Sequence, residues 1–155
     1  MRLTPLALTA ALGLAAALPL AAQQDPAAAA VKARQAHMTL YAANLGVLGG
    51  MAQGGIAYDA QAAQAAADNL VALSGLDQGL YWMPGTAVGE VEGTRALPAL
   101  WEMSDEAMAK GMALHEAAMA MAAVAGDGLE AVQGAMGPLG GACGSCHESF
   151  RQSNN

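Results

Sequence analysis

The five residues Cys143-Gly144-Ser145-Cys146-His147, close to the C-terminus of the 155-residue chain, constrain its structure more than any other stretch. On a helix, positions i, i+3 and i+4 share one face, so two thiols and an imidazole can address a single flat object. The Cys-x-x-Cys-His pattern is typical of the covalent attachment of a c-type haem, whose iron is reached by the histidine. The pattern therefore predicts one haem c bound through Cys143 and Cys146, with His147 as the iron ligand.

Two other uses of a Cys-x-x-Cys pair fit the sequence less well. A zinc site would need two more ligands, yet the chain has no second cysteine pair and only two other histidines, His37 and His115. A thioredoxin-like pair follows a strand and opens a helix, whereas no strand pattern precedes Cys143. A thiol-redox or purely structural bundle survives only if the two cysteines are free or disulfide-bonded in the mature protein.

Residues 1–22 have the features of a secretory signal peptide, with Arg2 as the charged start and an apolar body over 6–20. The same stretch is long enough for an uncleaved membrane anchor, but Pro5 and Pro19 argue against a spanning helix. Because haem is joined to thiols outside the cytoplasm in c-type systems, export agrees with the predicted cofactor. The periplasm is the expected compartment, with no membrane contact after the signal is removed.

The remaining residues, 23–155, are expected to form one domain of acidic character. Without Arg2 the mature chain keeps 13 acidic and 5 basic residues, which is a formal charge of −8. This sign disfavours nucleic acid and anionic membrane surfaces as partners and leaves a cationic redox protein possible. Only 4% of the residues are aromatic, while alanine, glycine and methionine are abundant, so we expect an all-α fold.

Capping and breaking residues predict four helices and one long connection, 77–100, in which Pro and Gly interrupt any period. The short first and third links then imply an antiparallel up-down-up-down four-helix bundle with covalent haem near the C-terminus. The predicted helices run from Pro26, capped by Asp25, to Gly49-Gly50; from Asp59 to about Gly75; from a Ser104 cap through Ala122; and from a capping-box-like Asp127 and Glu130 through a kink at Pro138 to about Arg151.

This topology places several side chains near the predicted haem. If the last helix ends just beyond the haem-attachment pattern, His147 lies at the same end of the bundle as the start of the first helix. Arg34 and Met38 belong to that start. The long connection returns to the same end, so Trp82 and Tyr81 are available to cover an edge of the haem.

Six motifs extend over most of the mature chain: Arg34-Gln35-x-x-Met38, Tyr58-Asp59, Pro84-Gly85-Thr86, Trp101, Gly126-Asp127 and Cys143-x-x-Cys146-His147-x-x-x-Arg151. In this order they resemble the cytochromes c′, the class II c-type cytochromes. The haem-attachment pattern alone occurs in many c-type cytochromes. Its combination with Arg34-Gln35 in an early helix is much more specific.

The resemblance implies a role for each matching residue. Cys143 and Cys146 would form the thioethers, and His147 would be the proximal iron ligand. Arg34 and Gln35 match positions that bind the haem propionates, although either could lie on a solvated helix face. Arg151 matches a basic residue beside the proximal pocket, where it would also be a favourable charge at a helix C-terminus.

The role of Met38 distinguishes two possible functions. In cytochromes c′ the matching position carries a bulky apolar group that covers the haem without bonding to iron, which implies five-coordinate, high-spin haem that binds NO and CO. In low-spin relatives a methionine there ligates the iron, and the six-coordinate protein carries electrons. A thioether can do either. The Arg34-Gln35 pair favours the first: a gas-binding protein, not an enzyme, that can also pass electrons to an unidentified redox protein.

Three further expectations concern packing and assembly. Family members are often homodimers through the first two helices, and the alanine-rich segment 62–67 would allow close packing of two copies. His37 is turned about 100° from Met38 around the helix, so it is expected at the surface or at the haem edge. His115 is expected as a packed or interface histidine, not as a ligand.

Overall fold

The computed structural model describes residues 25–153, which form five helices and no strand. Four of them pack as an antiparallel bundle in which each neighbours the next in sequence and the last returns to the first. This confirms the predicted all-α four-helix bundle. The helices are α1 (Pro26–Ala52), α2 (Ala60–Ser74), the single turn α3 (Ala99–Glu102), α4 (Ser104–Ala122) and α5 (Leu129–Phe150).

Helix α1 begins as predicted but ends later. Pro26 occupies its first position, and the Asp25 carboxylate accepts a hydrogen bond from the Ala27 N–H at 3.0 Å. The predicted stop at Gly49-Gly50 is wrong, because the helix continues to Ala52. Gly49 is buried, and a Cβ there would meet the methyl carbon of Met136 on α5 at 3.6 Å. Contact between helices therefore outweighs the low helix propensity of glycine, which costs about 1 kcal/mol per residue.

The other helix ends show which capping signals decide the structure. Asp59 caps α2, accepting from the Ala62 N–H at 2.7 Å, and Gly75 ends it as predicted. The caps predicted at Ser104 and Asp127 do not form. Ser104 is the first residue of α4 and not its cap, and α5 starts only at Leu129, after Gly128 with φ of 140°. Pro138 lies inside α5 without ending it.

The core is built from small and long apolar side chains that let the helices approach closely. Leu48, Met121, Val132 and Leu139 are almost fully buried, and the alanines Ala63, Ala66, Ala67, Ala118 and Ala125 fill the space between them. The alanine segment 62–67 is therefore used mainly inside the chain. Ala62 and Ala65 are its exposed alanines, so these two remain available for packing against a second copy.

Leu48 provides a direct test of this packing. Leu48→Ala is expected to lower the free energy of unfolding by about 2–5 kcal/mol, because the leucine is 0% exposed and its removal leaves a cavity. The matched control is Met112→Ala on α4, where the side chain is 58% exposed and the expected change is within about 0.5 kcal/mol. Urea unfolding of the two holoprotein variants measures both; equal losses would contradict the assigned core.

The connection between α2 and α4 returns to the C-terminal end of α5, as predicted. The Leu97 N–H donates to the Phe150 carbonyl at 2.9 Å, the Gln152 N–H donates to the Arg95 carbonyl at 2.8 Å, and Ala96 forms an antiparallel bridge with Arg151. The segment just beyond His147 is thereby held against the loop.

Membrane association is addressed only for the part of the chain that the structure describes. Within residues 25–153, no helix has both the length and the apolar character needed to cross a bilayer. The predicted signal peptide, residues 1–22, lies outside these residues and stays a prediction.

Candidate haem site

The haem-attachment residues lie in the last two turns of α5. Cys143 and Cys146 are half-buried and are not joined to each other in a disulfide, while His147 is exposed. Burial raises the pKa of both thiols; the positive charge of Lys110 opposes the rise at Cys146. Both thiols are therefore neutral at pH 7. A neutral, half-buried pair on one helix face suits a flat apolar ring better than a thiolate metal site.

His147 lies beside two arginines. Partial desolvation of the ring lowers its pKa, and the charges of Arg151 and Arg95 lower it further. A neutral imidazole keeps the lone pair that an iron ligand needs. Arg151 follows one turn later, where its N–H donates to the His147 carbonyl at 3.1 Å. Arg95, which the sequence analysis missed, comes from the long loop and donates from Nε to the Gln152 carbonyl at 3.1 Å.

Arg34 is buried, which excludes the solvated-face alternative for this residue. It is 5% exposed, and burial lowers its pKa. Its Nη1 donates to Thr86 Oγ1 at 2.7 Å and to the Tyr81 carbonyl at 3.5 Å. Its Nη2 donates to the Thr86 carbonyl at 2.6 Å and to Thr94 Oγ1. The guanidinium therefore joins α1 to the long loop at three points along that loop.

The neighbouring Gln35 reinforces the same connection from the solvent side. It is exposed, and its Nε2 donates to the Gly93 carbonyl at 2.7 Å. Gly93 has φ of 79°, a backbone conformation that favours glycine. Two consecutive residues of α1 thus hold the same loop, one from inside and one from outside.

Trp82 contacts this junction, and Met38 follows it along α1. Trp82 is half-buried, its ring centroid is 5.2 Å from the Arg34 guanidinium carbon, and its Nε1 donates to Gln78 Oε1 at 3.2 Å. Met38 is half-buried one turn after Arg34 and packs against the edge of the core. The structure therefore brings Arg34, Gln35 and Trp82 together, with Met38 next along α1.

His37 and Tyr41 form a buried polar pair, of which the sequence singled out only His37. His37 is buried, so the surface alternative predicted for it is wrong; its Nε2 lies 3.0 Å from the Leu73 carbonyl. Its ring stacks on Tyr41 with centroids 4.6 Å apart, and Tyr81 meets it edge-on at 5.7 Å. Within residues 25–153, His37 Nδ1 has no hydrogen-bond partner.

The electrostatics of this pair connect it to α5. Burial raises the pKa of Tyr41 to about 12; a hydrogen bond with the Gln78 side chain opposes the rise, and the charge of the Cys143 thiolate adds to it. Burial also lowers the pKa of His37, against the effect of the Leu73 carbonyl. Tyr41 thus lies where α1, the loop and the first haem cysteine meet. His37 Nδ1, a buried polar atom without a partner on the ring that stacks on Tyr41, fits a wall that receives a bound group.

His115 is half-buried on α4, and its Nδ1 lies 2.8 Å from Ser74 Oγ at the end of α2. It packs between two helices, in agreement with the predicted packed histidine.

A sequence model of the family described as "Cytochrome C'" matches residues 29–151. The chain belongs to the cytochrome c′ family. This family binds haem c, and Cys143 and Cys146 fit its covalent attachment. The resemblance inferred from the six motifs is confirmed.

Two relatives of this cytochrome c′-family chain come from Cereibacter sphaeroides. A cytochrome c-554 is 48% identical over 122 residues, which is 79% of this chain and 80% of the relative. A cytochrome c′ is 44% identical over 138 residues, which is 89% of this chain and 93% of the relative. A solved cytochrome c′ from a Rhodobacter species superposes with a TM-score of 0.81 at 41% identity, covering 83% of this chain and 98% of the other.

Other solved relatives carry ligands or form dimers. Two variants of the Alcaligenes xylosoxidans cytochrome c′, one with carbon monoxide bound and one in complex with nitric oxide, match with TM-scores of 0.71. They are 30% and 31% identical to this chain and cover 84% and 83% of it, and 98% and 97% of their own chains. A further cytochrome c′, with ligand-controlled dimer dissociation, matches with a TM-score of 0.74 at 30% identity, covering 83% and 98% of the two chains.

Proposed function

We propose that the protein is a periplasmic mono-haem cytochrome with five-coordinate, high-spin iron that binds NO and CO and can pass electrons to a redox protein. It acts as a haem module and not as a conventional enzyme. The observation that carries the proposal is the position of Met38. It is a half-buried apolar side chain on α1, one turn after Arg34, in a chain that carries a haem c attachment motif. Solved relatives with carbon monoxide and nitric oxide bound support the same reading.

Each site residue has a part in this proposal. Cys143 and Cys146 hold the haem, and His147 supplies the single protein ligand to iron. Arg151 keeps a positive charge beside that ligand, and Trp82 covers an edge of the ring. The haem supplies the iron orbital that takes a small neutral gas.

Arg34 and Gln35 are proposed to meet the haem propionates, and the structure constrains how they do so. Both terminal nitrogens of Arg34 are already directed at loop oxygens. A carboxylate would be met either by the remaining Nε–H or by exchange of one loop contact, and a charged partner makes that exchange favourable. Gln35 is exposed and has only one amide contact to the loop, so it can turn more easily.

Met38 acts in this proposal as a steric lid. An incoming gas molecule must displace the thioether, and the surrounding packing resists that movement. Met38→Ala is therefore expected to raise the association rate constant for CO with the ferrous holoprotein about tenfold, which corresponds to about 1.4 kcal/mol of barrier. Flash photolysis of the CO complex measures the rate.

The matched control for this lid is Met136→Ala. Met136 is also half-buried against the core, but it lies on α5 and contacts Gly49. Its replacement is expected to leave CO association unchanged. Unchanged kinetics in Met38→Ala would contradict the lid, and equal acceleration in both variants would point to general loosening of the bundle.

The second candidate function is a six-coordinate, low-spin electron carrier in which His147 and Met38 both bind the iron. The thioether of Met38 lies on α1 one turn after Arg34, and a thioether is able to ligate haem iron. Such a protein would be closed to CO, so ligand binding separates the two functions.

The proposal includes a homodimer in the periplasm. Leu40 on α1 and Ile56 after it are exposed apolar side chains, and Ala62 and Ala65 of α2 are also exposed. These residues allow a second copy to pack on α1 and α2. The molar mass from light scattering tests the dimer, with a monomer at every concentration as the contradicting result. Cell fractionation tests the compartment, where retention in the cytoplasm contradicts it.

A further inference from the structure

The outward face of α4 carries methionines where a bundle helix normally carries polar side chains. Met108, Met112 and Met119 are 60%, 58% and 45% exposed, and together they are called the methionine face. Met121, the fully buried methionine of the same helix, is turned from each of them by about 140° or more around the axis. The three exposed thioethers therefore take no part in the core that α4 forms with its neighbours.

His115 lies on the methionine face. At 100° per residue, Met112, His115 and Met119 fall within about 60° of one another around the helix, at steps of about 4.5 and 6 Å along its axis. Residues three and four positions apart are neighbours on a helix surface, so the imidazole lies between two thioethers. A long side chain on a helix leans towards the N-terminus, which directs Met119 over the turn that contains His115.

The hydrogen bonding of His115 leaves one ring nitrogen available. Its Nδ1 lies 2.8 Å from Ser74 Oγ. The Ser74 hydroxyl has a single proton, which it donates to the carbonyls of Leu70 at 2.7 Å and Val71 at 3.1 Å, so Oγ accepts from the ring. In the neutral imidazole this network assigns the proton to Nδ1 and the lone pair to Nε2. The packing of His115 against α2 thus uses Nδ1 alone.

The surroundings of His115 Nε2 are open. Within residues 25–153 this atom has no hydrogen-bond partner, and it is not among the buried polar atoms of these residues that lack one, so solvent reaches it. Gly111, one turn earlier on α4, adds no side chain, and a Cβ there would meet nothing within 4 Å. A metal-binding histidine usually donates its other ring N–H to a fixed acceptor, as His115 does to Ser74.

The donor atoms on this face select the kind of ion that they can bind. Thioether sulfur and imidazole nitrogen suit the soft cation Cu(I), whereas hard divalent cations prefer oxygen. Within residues 25–153, no group of three His, Cys, Asp or Glu side chains could hold a metal ion, so the donors of a conventional zinc site do not meet there.

We propose that the methionine face of α4 is a Cu(I) site, in which His115 Nε2 and Met119 Sδ bind the ion and Met112 Sδ is the third ligand. The site lies on the outside of the bundle. It is separate from the haem-attachment residues on α5 and does not depend on whether the sixth position of the iron is open.

The test is equilibrium dialysis of the ferrous holoprotein against Cu(I), buffered by a competing chelator under anaerobic and reducing conditions, with bound copper measured by atomic absorption. The only two cysteines of the chain are joined to haem in the holoprotein, so no free thiol competes for the ion. The wild type is expected to bind one Cu(I) per chain. X-ray absorption at the copper edge should show both sulfur and nitrogen neighbours.

Two variants each remove one proposed ligand atom and keep most of the side-chain volume, His115→Gln and Met119→Leu. A change in the hydrogen-bond partner of a metal ligand typically costs about 10- to 100-fold in affinity, so the loss of a ligand itself is expected to cost about 100-fold or more. Ser74→Ala removes the acceptor that orients the His115 ring, and it should weaken Cu(I) binding about tenfold.

Met103→Leu is the matched control. Met103 is 46% exposed, as Met119 is 45%, but it precedes the first residue of α4, and its replacement should leave the Cu(I) affinity unchanged. A wild-type holoprotein that binds no Cu(I) would overturn the proposal. So would His115→Gln and Met119→Leu holoproteins that bind Cu(I) as tightly as Met103→Leu. Binding of CO to the haem should be the same in all these variants, so the copper site and the gas-binding function can fail independently.

Discussion

Replacing both Cys143 and Cys146 with alanine is expected to abolish covalent haem in the exported protein. The two thiols are the only cysteines in the chain, so no other side chain can form a thioether. Because they are half-buried on the face of α5 that carries His147, both bonds hold the ring beside the iron ligand. Intact mass spectrometry should give the mass of the polypeptide plus one haem for the wild type and the polypeptide alone for the variant.

The control for this prediction is Ser145→Ala, which lies between the two cysteines. Within residues 25–153 its hydroxyl donates only to the Ala142 carbonyl, at 3.1 Å in the same helix, so haem attachment should be unaffected. Two further results would contradict the account. One is a wild-type mass without haem, and the other is a disulfide between Cys143 and Cys146 in the mature protein.

Arg34→Ala is expected to lower the free energy of unfolding by about 3 kcal/mol. The change removes four hydrogen bonds to the loop and leaves the Thr86 carbonyl and the Thr94 hydroxyl without their charged donor. Urea unfolding measures the loss. Hydrogen exchange should also show faster opening of 77–98, because the guanidinium joins this loop to α1.

Two comparisons make the Arg34 prediction specific. Gln35→Ala removes one exposed contact with the same loop, so it should cost about 1 kcal/mol or less. Arg34→Lys keeps the charge but loses the planar arrangement of donors, so its loss should lie between the other two. If Arg34→Ala proves no more destabilising than Gln35→Ala, the buried network does not anchor the loop.

The sequence predicted the helices where a local signal decides their position. Asp25 with Pro26, and Asp59 with Gly75, act within one turn of chain and gave correct ends. The helix stop predicted at Gly49 was wrong because this glycine packs close to Met136, which is 87 residues away in the chain and adjacent only in the fold. The cap predicted at Asp127 failed for a related reason, since the chain turns at Gly128 before α5 begins.

The site residues, like the helix ends, were predictable only where a local signal positions them. The thiols and imidazole of α5 are set by spacing on one helix, so sequence alone placed them together. The network of Arg34 with Thr86 and Thr94 depends on how the long loop folds, which no periodic pattern encodes. Tyr41 was not predicted as a site residue because it occupies an apolar seam of α1. Two polar rings four residues apart on such a seam, His37 and Tyr41, are the signal that could have revealed it.

The measurement that tests the central claim most directly is the absorption spectrum of the purified holoprotein, ferric and ferrous, before and after addition of CO. The account predicts a high-spin spectrum in both oxidation states and a clear change of the ferrous spectrum with CO, because Met38 covers the iron without bonding to it. A low-spin spectrum that is indifferent to CO would contradict it. Met38 would then be an axial ligand, and the protein would be an electron carrier.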